Sequence, residues 1–354
     1  MFSRLMNGRL STAFVLLLFL GACSSFGRGV TEALLDQSER EDERQCHIDG
    51  PASHGLNHLL EAQEIAGKAS ARRELKVLMV HGVGNQIPGY SGRLTEHLTN
   101  ALGLTVRSSE RKEIELWEPL VSDEPLGQLL IDLYTNPEQT QRLVFYELTW
   151  ASIIEAEKKK IAFDNATEHS FRRTQLNALM KRFFNDTIPD AFIYLGQSQQ
   201  KILTSVSQGF CWMTTGDWED LPRRASERCD PTNEARAIYA RRDDFAFISH
   251  SLGSRIVIDM LQQSTDIVTR PDDLTTRELN AIFQERTLPV FMLSNQLPLL
   301  DMGRPPPTVS KQIAEICTPG GAMTEKRQVG QLDIYAISDP NDLLSYPIPR
   351  DFAE

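Results

Sequence analysis

Basic residues are scarce in this chain. Its 354 residues include 37 Lys and Arg against 48 Asp and Glu, a formal net charge of −11. With no long basic stripe, non-specific nucleic-acid binding is not expected. Long apolar runs are scarcer still. The only one, Ala13–Leu20, is too short for a comfortable membrane span, which excludes a polytopic membrane protein. There are five cysteines and no CxxC pair, and seven histidines and no HExxH. His54 and His58 have i,i+4 spacing, but Gly55 follows His54 where a zinc protease needs Glu. No metal site is therefore expected. Gly82-Val83-Gly84 stands without the GxGxxG or GKS context of a nucleotide loop, and no cofactor is expected. There is no internal repeat. What remains is ordinary for a folded protein: 41% hydrophobic, 24% charged and 8% aromatic residues. The length suits one large domain or two modest ones with a sizeable core.

The N-terminus reads as an address. Met1–Leu10 carries Arg4 and Arg9 and no acid, and Ala13–Leu20 has the length of a signal-peptide core. The run ends in Leu20-Gly21-Ala22-Cys23. This tetrapeptide resembles the lipobox of bacterial lipoproteins. The resemblance implies a signal peptide over residues 1–22, cleavage before Cys23, and lipid on its sulfur and new amino group. Several acyl chains anchor a protein stably where one is marginal. The implied partner is a membrane, held through Cys23. Ser24, standing where Asp would retain the protein, implies the outer membrane of the cell envelope. Cleavage removes two Arg and no acid, which takes the net charge from −11 to −13. Cys46, Cys211, Cys229 and Cys317 then remain, an even number that suits disulfides in an oxidising compartment. Of the three pairings, Cys211–Cys229 with Cys46–Cys317 is favoured, because Cys211 and Cys229 share one segment. Residues 23–74 read as a tether and N-terminal extension, and residues 75–354 as the folded body.

Along that body, short apolar runs alternate with helical spacing. Val77–Val80 is continuously apolar and ends at His81-Gly82-Val83-Gly84-Asn85, which predicts a buried parallel strand leaving through a tight turn. Leu94, Leu98 and Leu102 lie on one face of a helix over 91–102. Leu143–Trp150 reads as a strand. Residues 151–240 read as mostly helical, a cap inserted over a site, with the aromatic residues of 183–218 as core. Phe245–Ile248 is a further strand and runs into Ser249-His250-Ser251-Leu252-Gly253-Ser254 and a helix. Leu274–Phe283 reads as helix, and Val290–Leu293 and Leu332–Ile337 as strands. The alternation predicts an α/β fold with a mainly parallel sheet flanked by helices.

Three features carry chemistry. A nucleophilic serine needs a sharp strand-to-helix turn, with small residues two before and two after it. Ser249 and Gly253 meet that need around Ser251, although the usual GxSxG has Gly in place of Ser249. The following helix aims its N-terminus at the same point. Acyl transfer also needs two N–H donors for the oxyanion, and the N–H of Leu252 with that of Val83 or Gly84 fits that role. Finally, a triad acid orients a histidine. Asp339 and Asp342 both follow the last strand, with Asp342 slightly favoured.

In this order, the three features resemble the α/β-hydrolase superfamily over residues 75–342. That resemblance implies cofactor-free hydrolysis of esters, thioesters or amides, often of lipids, with the order nucleophile, acid, histidine. The chain departs from the pattern: His47, His54, His58, His81, His97, His169 and His250 are all its histidines, and none follows the acid. Three readings stay open. The sequence stops short of the family's final strand and histidine loop; or a histidine elsewhere substitutes, such as His169, His47, His54 or His58; or the protein is a non-catalytic relative with a binding role. His250 reads as a poor base, because consecutive elbow residues point apart, and His81 as a structural histidine. The anchor and apolar cap favour lipid or other acyl esters as substrate.

Overall fold

The computed structural model describes residues 55–66, 73–117, 125–161, 174–267, 274–302, 315, 321, 329–342 and 344–348. The signal peptide, Cys23, Cys46, Cys317, His47, His54 and His169 lie outside the described residues. The chain divides into two compact units, Met1–Ser53 and His54–Glu354. The described residues all belong to the second.

A nine-stranded sheet forms its centre, in the order β6-β3-β4-β5-β1-β7-β8-β9, with β2 on β4. The strands are β1 (Leu75–Val80), β2 (Val106–Arg107), β3 (Lys112–Trp117), β4 (Pro125–Thr135), β5 (Arg142–Thr149), β6 (Arg224–Ser226), β7 (Asp244–His250), β8 (Thr287–Leu293) and β9 (Gln331–Ile337). β1 pairs parallel with β5 and β7, β7 with β8, β8 with β9, and β3 with β6. β4 pairs antiparallel with β2, β3 and β5. So β4 alone runs against the other strands. The sheet is mixed, and its antiparallel part lies in residues 106–135, which the sequence left unread.

Both faces of the central strands are covered, and this is why they read as unbroken apolar runs. Side chains alternate along β1. Leu78 and Val80 join Tyr146, Leu148 and Phe247 in one core cluster, while Val77 and Met79 join Phe145, Ala246 and Ile248 in another. The helices divide between the faces. α1 (Asn57–Ala66) and α2 (Gly92–Ala101) lie on the second, through Leu60 and the partly buried Leu94 and Leu98. Gln63 of α1 bonds both backbone groups of Arg142 at the start of β5. The folded body therefore begins well before residue 75.

Residues 151–243 connect β5 to β7. They hold a short 3-10 turn (Ala151–Ile154), α3 (Glu155–Lys158), α4 (Gln175–Tyr194), α5 (Gln199–Met213) and α6 (Ala235–Arg242). The segment is mostly helical where it is described, and its helices are separate. α5 packs on the sheet, with Ile202 and Val206 fully buried and Gly209 against Leu78 and Leu129. Residues 214–234 carry only the short strand β6. The aromatic residues also split. Tyr194, Trp212 and Trp218 are core, but Phe183, Phe184 and Phe192 are exposed.

Beyond β7, α7 (Gly253–Ile267), α8 (Leu274–Gln284) and α9 (Leu297–Leu300) complete the described helices. Ile256, Val257 and Met260 of α7 enter the first core cluster.

Cys211 and Cys229 lie at disulfide distance with Cα atoms 6.0 Å apart, closing a sequence separation of 18. The bridge ties the end of α5 to the loop before α6. A closed loop of this size restricts the unfolded chain enough to stabilise by about 3 kcal/mol. Reduction, or Cys211→Ser with Cys229→Ser, is expected to lower unfolding stability by that amount in urea titrations.

Candidate active site

β7 ends at His250, and the chain turns through Ser251 and Leu252 into α7. Ser251 sits at φ 56°, in the left-handed region that L-residues avoid. Its N–H donates to Leu293 O at 2.8 Å, and its carbonyl accepts from Ser254 N at 3.0 Å. These bonds, from β8 and the first turn of α7, hold the strained residue in place. Its side chain is buried, and Oγ has no hydrogen-bond partner among the described residues. Orphaned buried hydroxyls are costly, and such strain gathers at functional positions.

The small flanking residues are explained by distance. A Cβ on Gly253 would lie 2.3 Å from Val80 O and 2.8 Å from His81 O. One on Gly82 would lie 2.5 Å from both His250 O and Ser251 Cβ. The exits of β1 and β7 therefore touch backbone to backbone. Ser249, where the pattern expects Gly, is fully buried, and its Oγ donates to Ser254 Oγ at 3.2 Å with Phe291 O at 3.3 Å. The extra hydroxyl is absorbed by hydrogen bonding into β8 and α7.

The expected oxyanion donors separate into two kinds. The N–H groups of Val83 and Leu252 have no hydrogen-bond partner among the described residues. The Gly84 N–H is already taken: it donates to Asp190 Oδ2 at 2.5 Å. Gly84 is therefore not an available donor, and Val83 with Leu252 is the pair left open. Asp190 is fully buried on α4, and Lys158 Nζ lies 2.8 Å from its other oxygen. Burial raises its carboxyl pKa, and the Lys158 ammonium and Gly84 N–H oppose that shift.

His81 is structural, as expected. Its Nδ1 bonds Gly82 O at 2.8 Å, and its Nε2 accepts from Trp150 N at 3.1 Å. The ring stacks on Trp150 at 4.5 Å between centroids, and Trp150 Nε1 donates to His81 O at 3.0 Å. Both ring nitrogens are occupied, so neither can take a proton from Ser251. Burial lowers its pKa from 6.5 to about 3.

Asp339 and Asp342 both follow β9. Asp339 is exposed and caps Asn341 N–H at 2.8 Å. Asp342 is half-buried, and its Oδ1 accepts from Leu344 N at 3.0 Å. Its charge raises the pKa of His250, while the desolvation of that imidazole, the larger effect, lowers it. The segment after Asp342 is held to the end of β8. Asn295, fully buried, accepts at its carbonyl from Tyr346 N at 2.8 Å and donates from Nδ2 to Tyr346 O at 3.0 Å. Among the described histidines, His58 and His97 are exposed on α1 and α2, and none bonds Ser251 Oγ.

A groove of about 650 Å³ opens at this end of the sheet. The loop Asn85–Pro88 forms one wall, Ala151, Ser152 and Glu155 after β5 another, and the floor runs out over β3, β4 and β6 through Glu113, Gly127 and Arg224; Ser251, Val83 and Leu252 do not line it. Ligand clefts in α/β sheets lie at the carboxyl ends of the strands.

The opposite end holds three close carboxylates, Glu74, Asp217 and Asp243, with ligand atoms within 4.8 Å of one another. They already have cations. Lys76, fully buried, places Nζ 2.7 Å from Asp243 and 3.9 Å from Glu74 and donates to Gly216 O at 2.7 Å. Arg142 pairs with Glu74, and Arg242 with Asp217 and Asp243. This is an internal ion-pair network, because an ammonium occupies the place a metal would take.

The roles of Asp190, Trp150 and Asn295 have no sign in the sequence, and Lys158, which with Glu155–Lys160 reads as part of a solvated face, is instead largely buried on Asp190. Each acts through a contact across many residues, and no local pattern marks it. No protein-family model, curated protein or solved structure matches this chain.

Two expectations follow. Gly253→Ala forces a methyl onto a carbonyl oxygen and should cost about 3 kcal/mol in chemical denaturation. His81 binds no proton in the fold until near pH 3, but the unfolded chain binds one below 6.5. Stability from this group is therefore complete above pH 6.5 and falls by about 1.4 kcal/mol per pH unit below it. His81→Gln should make the stability–pH slope between pH 6 and 4 shallower by one proton.

Proposed function

We propose that the chain is a serine hydrolase of carboxylic esters, lipid esters among them, anchored in the cell envelope through lipid on Cys23. The observation that carries this reading is Ser251: a left-handed serine at a strand–helix turn packed against Gly82, whose buried hydroxyl has no partner among the described residues, as the N–H groups of Leu252 and Val83 have none. Ser205, Ser338 and Ser345 also bury hydroxyls without partners among the described residues, and what they lack is the left-handed backbone of Ser251. A nucleophile has to be left free for substrate.

In this reading the ester carbonyl enters from the groove side. Ser251 Oγ attacks it, and the N–H groups of Val83 and Leu252 receive the oxyanion. Donors placed before reaction are worth about 3–4 kcal/mol of barrier each. The tetrahedral intermediate collapses, the alcohol leaves with the serine's proton, and water then cleaves the acyl-enzyme. Asp342 orients the imidazole that carries the proton. No cofactor or nucleic acid takes part. Cysteines at disulfide distance, Cys211 and Cys229, fit an oxidising compartment. No described helix is long and apolar enough to cross a membrane, and the proposed anchor is lipid.

A fluorophosphonate probe tests the reading. Labelling of the full chain that vanishes in Ser251→Ala supports it, and folded protein that never labels overturns it. His250→Gln read in the same assay reports whether His250 takes the proton; if it does, the labelling rate titrates below the ordinary 6.5 of histidine. Ser251→Gly also abolishes labelling, and it relieves the left-handed strain. Its stability should exceed that of Ser251→Ala by about 1 kcal/mol.

A further inference from the structure

Seven of the thirteen large apolar side chains exposed among the described residues lie between Leu176 and Leu195. Five of them form a stripe on α4: Leu176, Leu179, Met180, Phe183 and Phe184, at i, i+3, i+4, i+7 and i+8. That is the spacing of a helix face made to be buried. Yet Leu176 and Leu179 are each 66% exposed, and every residue from 175 to 184 is exposed. The other end of the helix is fixed. Asp190 bonds Gly84 N–H and pairs with Lys158, and Tyr194 donates to Asp259 at 2.5 Å. The stripe therefore stands out from the body beside the Val83–Gly84 turn, and Leu179 is about 16 Å along the helix from Asp190.

Charge indicates what covers it. In a chain of net charge −11, residues 169–185 contain no Asp or Glu and four basic residues: Arg172, Arg173, Lys181 and Arg182. On the helix, Lys181 and Arg182 flank the stripe on its two sides. Apolar side chains edged by Lys and Arg suit a helix lying in a bilayer interface, where the long side chains reach the headgroups. Basic residues near an anionic membrane surface each add about 1 kcal/mol of attraction. An acidic body does not supply that attraction elsewhere.

We propose that the N-terminal half of α4 docks on an anionic phospholipid surface, with its apolar stripe in the headgroup boundary. This contact is separate from any lipid on Cys23 and stands without the Ser251 chemistry. The stripe lies about 16 Å along the helix from the Asp190–Gly84 contact.

Hydrogen exchange of the full chain, with and without vesicles, tests this directly. On vesicles of mixed phosphatidylglycerol and phosphatidylcholine, amides of residues 175–185 are expected to exchange about tenfold or more slowly. The double variant Leu179→Glu with Phe183→Glu, both exposed sites, should lose that protection and bind the vesicles about tenfold more weakly at unchanged thermal stability. Unchanged exchange at 175–185 in vesicle-bound protein overturns the proposal, because binding then runs through the N-terminus alone. Equal protection on pure phosphatidylcholine overturns the anionic assignment. Protection that grows with protein concentration in the absence of vesicles shows the stripe covered by a second copy, and overturns it as well.

Discussion

The exits of two neighbouring strands have to touch at backbone distance, and most of the upper half of the structure follows from that contact. β1 and β7 are paired in register from Leu75–Asp244 to Val80–Ser249. Beyond that register each must turn away within two residues. Only a residue without a Cβ fits at Gly82 and Gly253, where the facing atoms are carbonyl oxygens and the Ser251 Cβ. The tightness on one side forces the left-handed conformation of Ser251 on the other. Left-handed backbone at a non-glycine residue costs about 1–2 kcal/mol. Here the bonds from Leu293 and Ser254, and the burial of Leu252, offset that cost. Ser294, the first residue after β8, repeats the arrangement at φ 49°, with its N–H on Ile337 O. Adjacent parallel strands thus end in the same strained way, each held by the next strand along.

The two ends of the sheet solve opposite problems. At the amino ends of β1 and β7, charges are buried and paired. Lys76 is fully enclosed by Asp243, Glu74 and the Gly216 carbonyl, and Arg73 closes on Asp244 at 2.6 Å. Burial raises the pKa of Glu74 against the pull of Lys76 and Arg142. Removing one partner from such a set leaves an uncompensated charge, which costs several kcal/mol. At the carboxyl ends the polar groups are left open instead. The Ser251 hydroxyl and the Val83 and Leu252 N–H groups have no partners among the described residues. Ion pairs hold one end together, with Glu74 Oε2 its exception, while the other end keeps unsatisfied groups.

How much of this was legible in the sequence depended on whether the cause was local. The apolar runs at Val77–Val80, Leu143–Trp150, Phe245–Ile248, Val290–Leu293 and Leu332–Ile337 all became strands of one sheet, and the leucine spacing of 91–102 became α2. Burial on both faces makes the runs of β1, β5 and β7 unambiguous, whereas β9, at the sheet edge, is only partly buried. β3 was missed although Ile114 and Leu116 alternate with Glu113 and Glu115, because Lys112 and Trp117 blur the apolar set. Lys112 is buried all the same, with Nζ on the Leu221 carbonyl and over the Trp218 ring, and no local pattern announces that. The helical reading of 151–240 was right in type for α4 and α5 and too coarse in arrangement, since periodicity does not say which helix meets the sheet. At the site, small residues around Ser251 and glycines after β1 were visible because close approach dictates them. The loss of Gly84 as a donor was not, because Asp190 reaches it from 106 residues away.

That bond between Gly84 and Asp190 also joins two features that would otherwise be unrelated. Asp190 follows Pro189, the only proline within α4, where the ring removes one helical N–H. Lys158 donates to the Asp186 carbonyl, one turn back, and pairs with Asp190 itself. One lysine therefore ties the helix, across its proline, to the turn that carries Val83. The half of α4 beyond this junction is apolar, basic and exposed; the end within it is held to α7 by the buried Tyr194 on Asp259, while Phe192 stays exposed. The outer half and the contact with the Gly84 turn thus belong to one helix, anchored at Asp190. The buried Asp190 carboxylate makes that end stiff, since moving it would strand a charge between Lys158 and the turn.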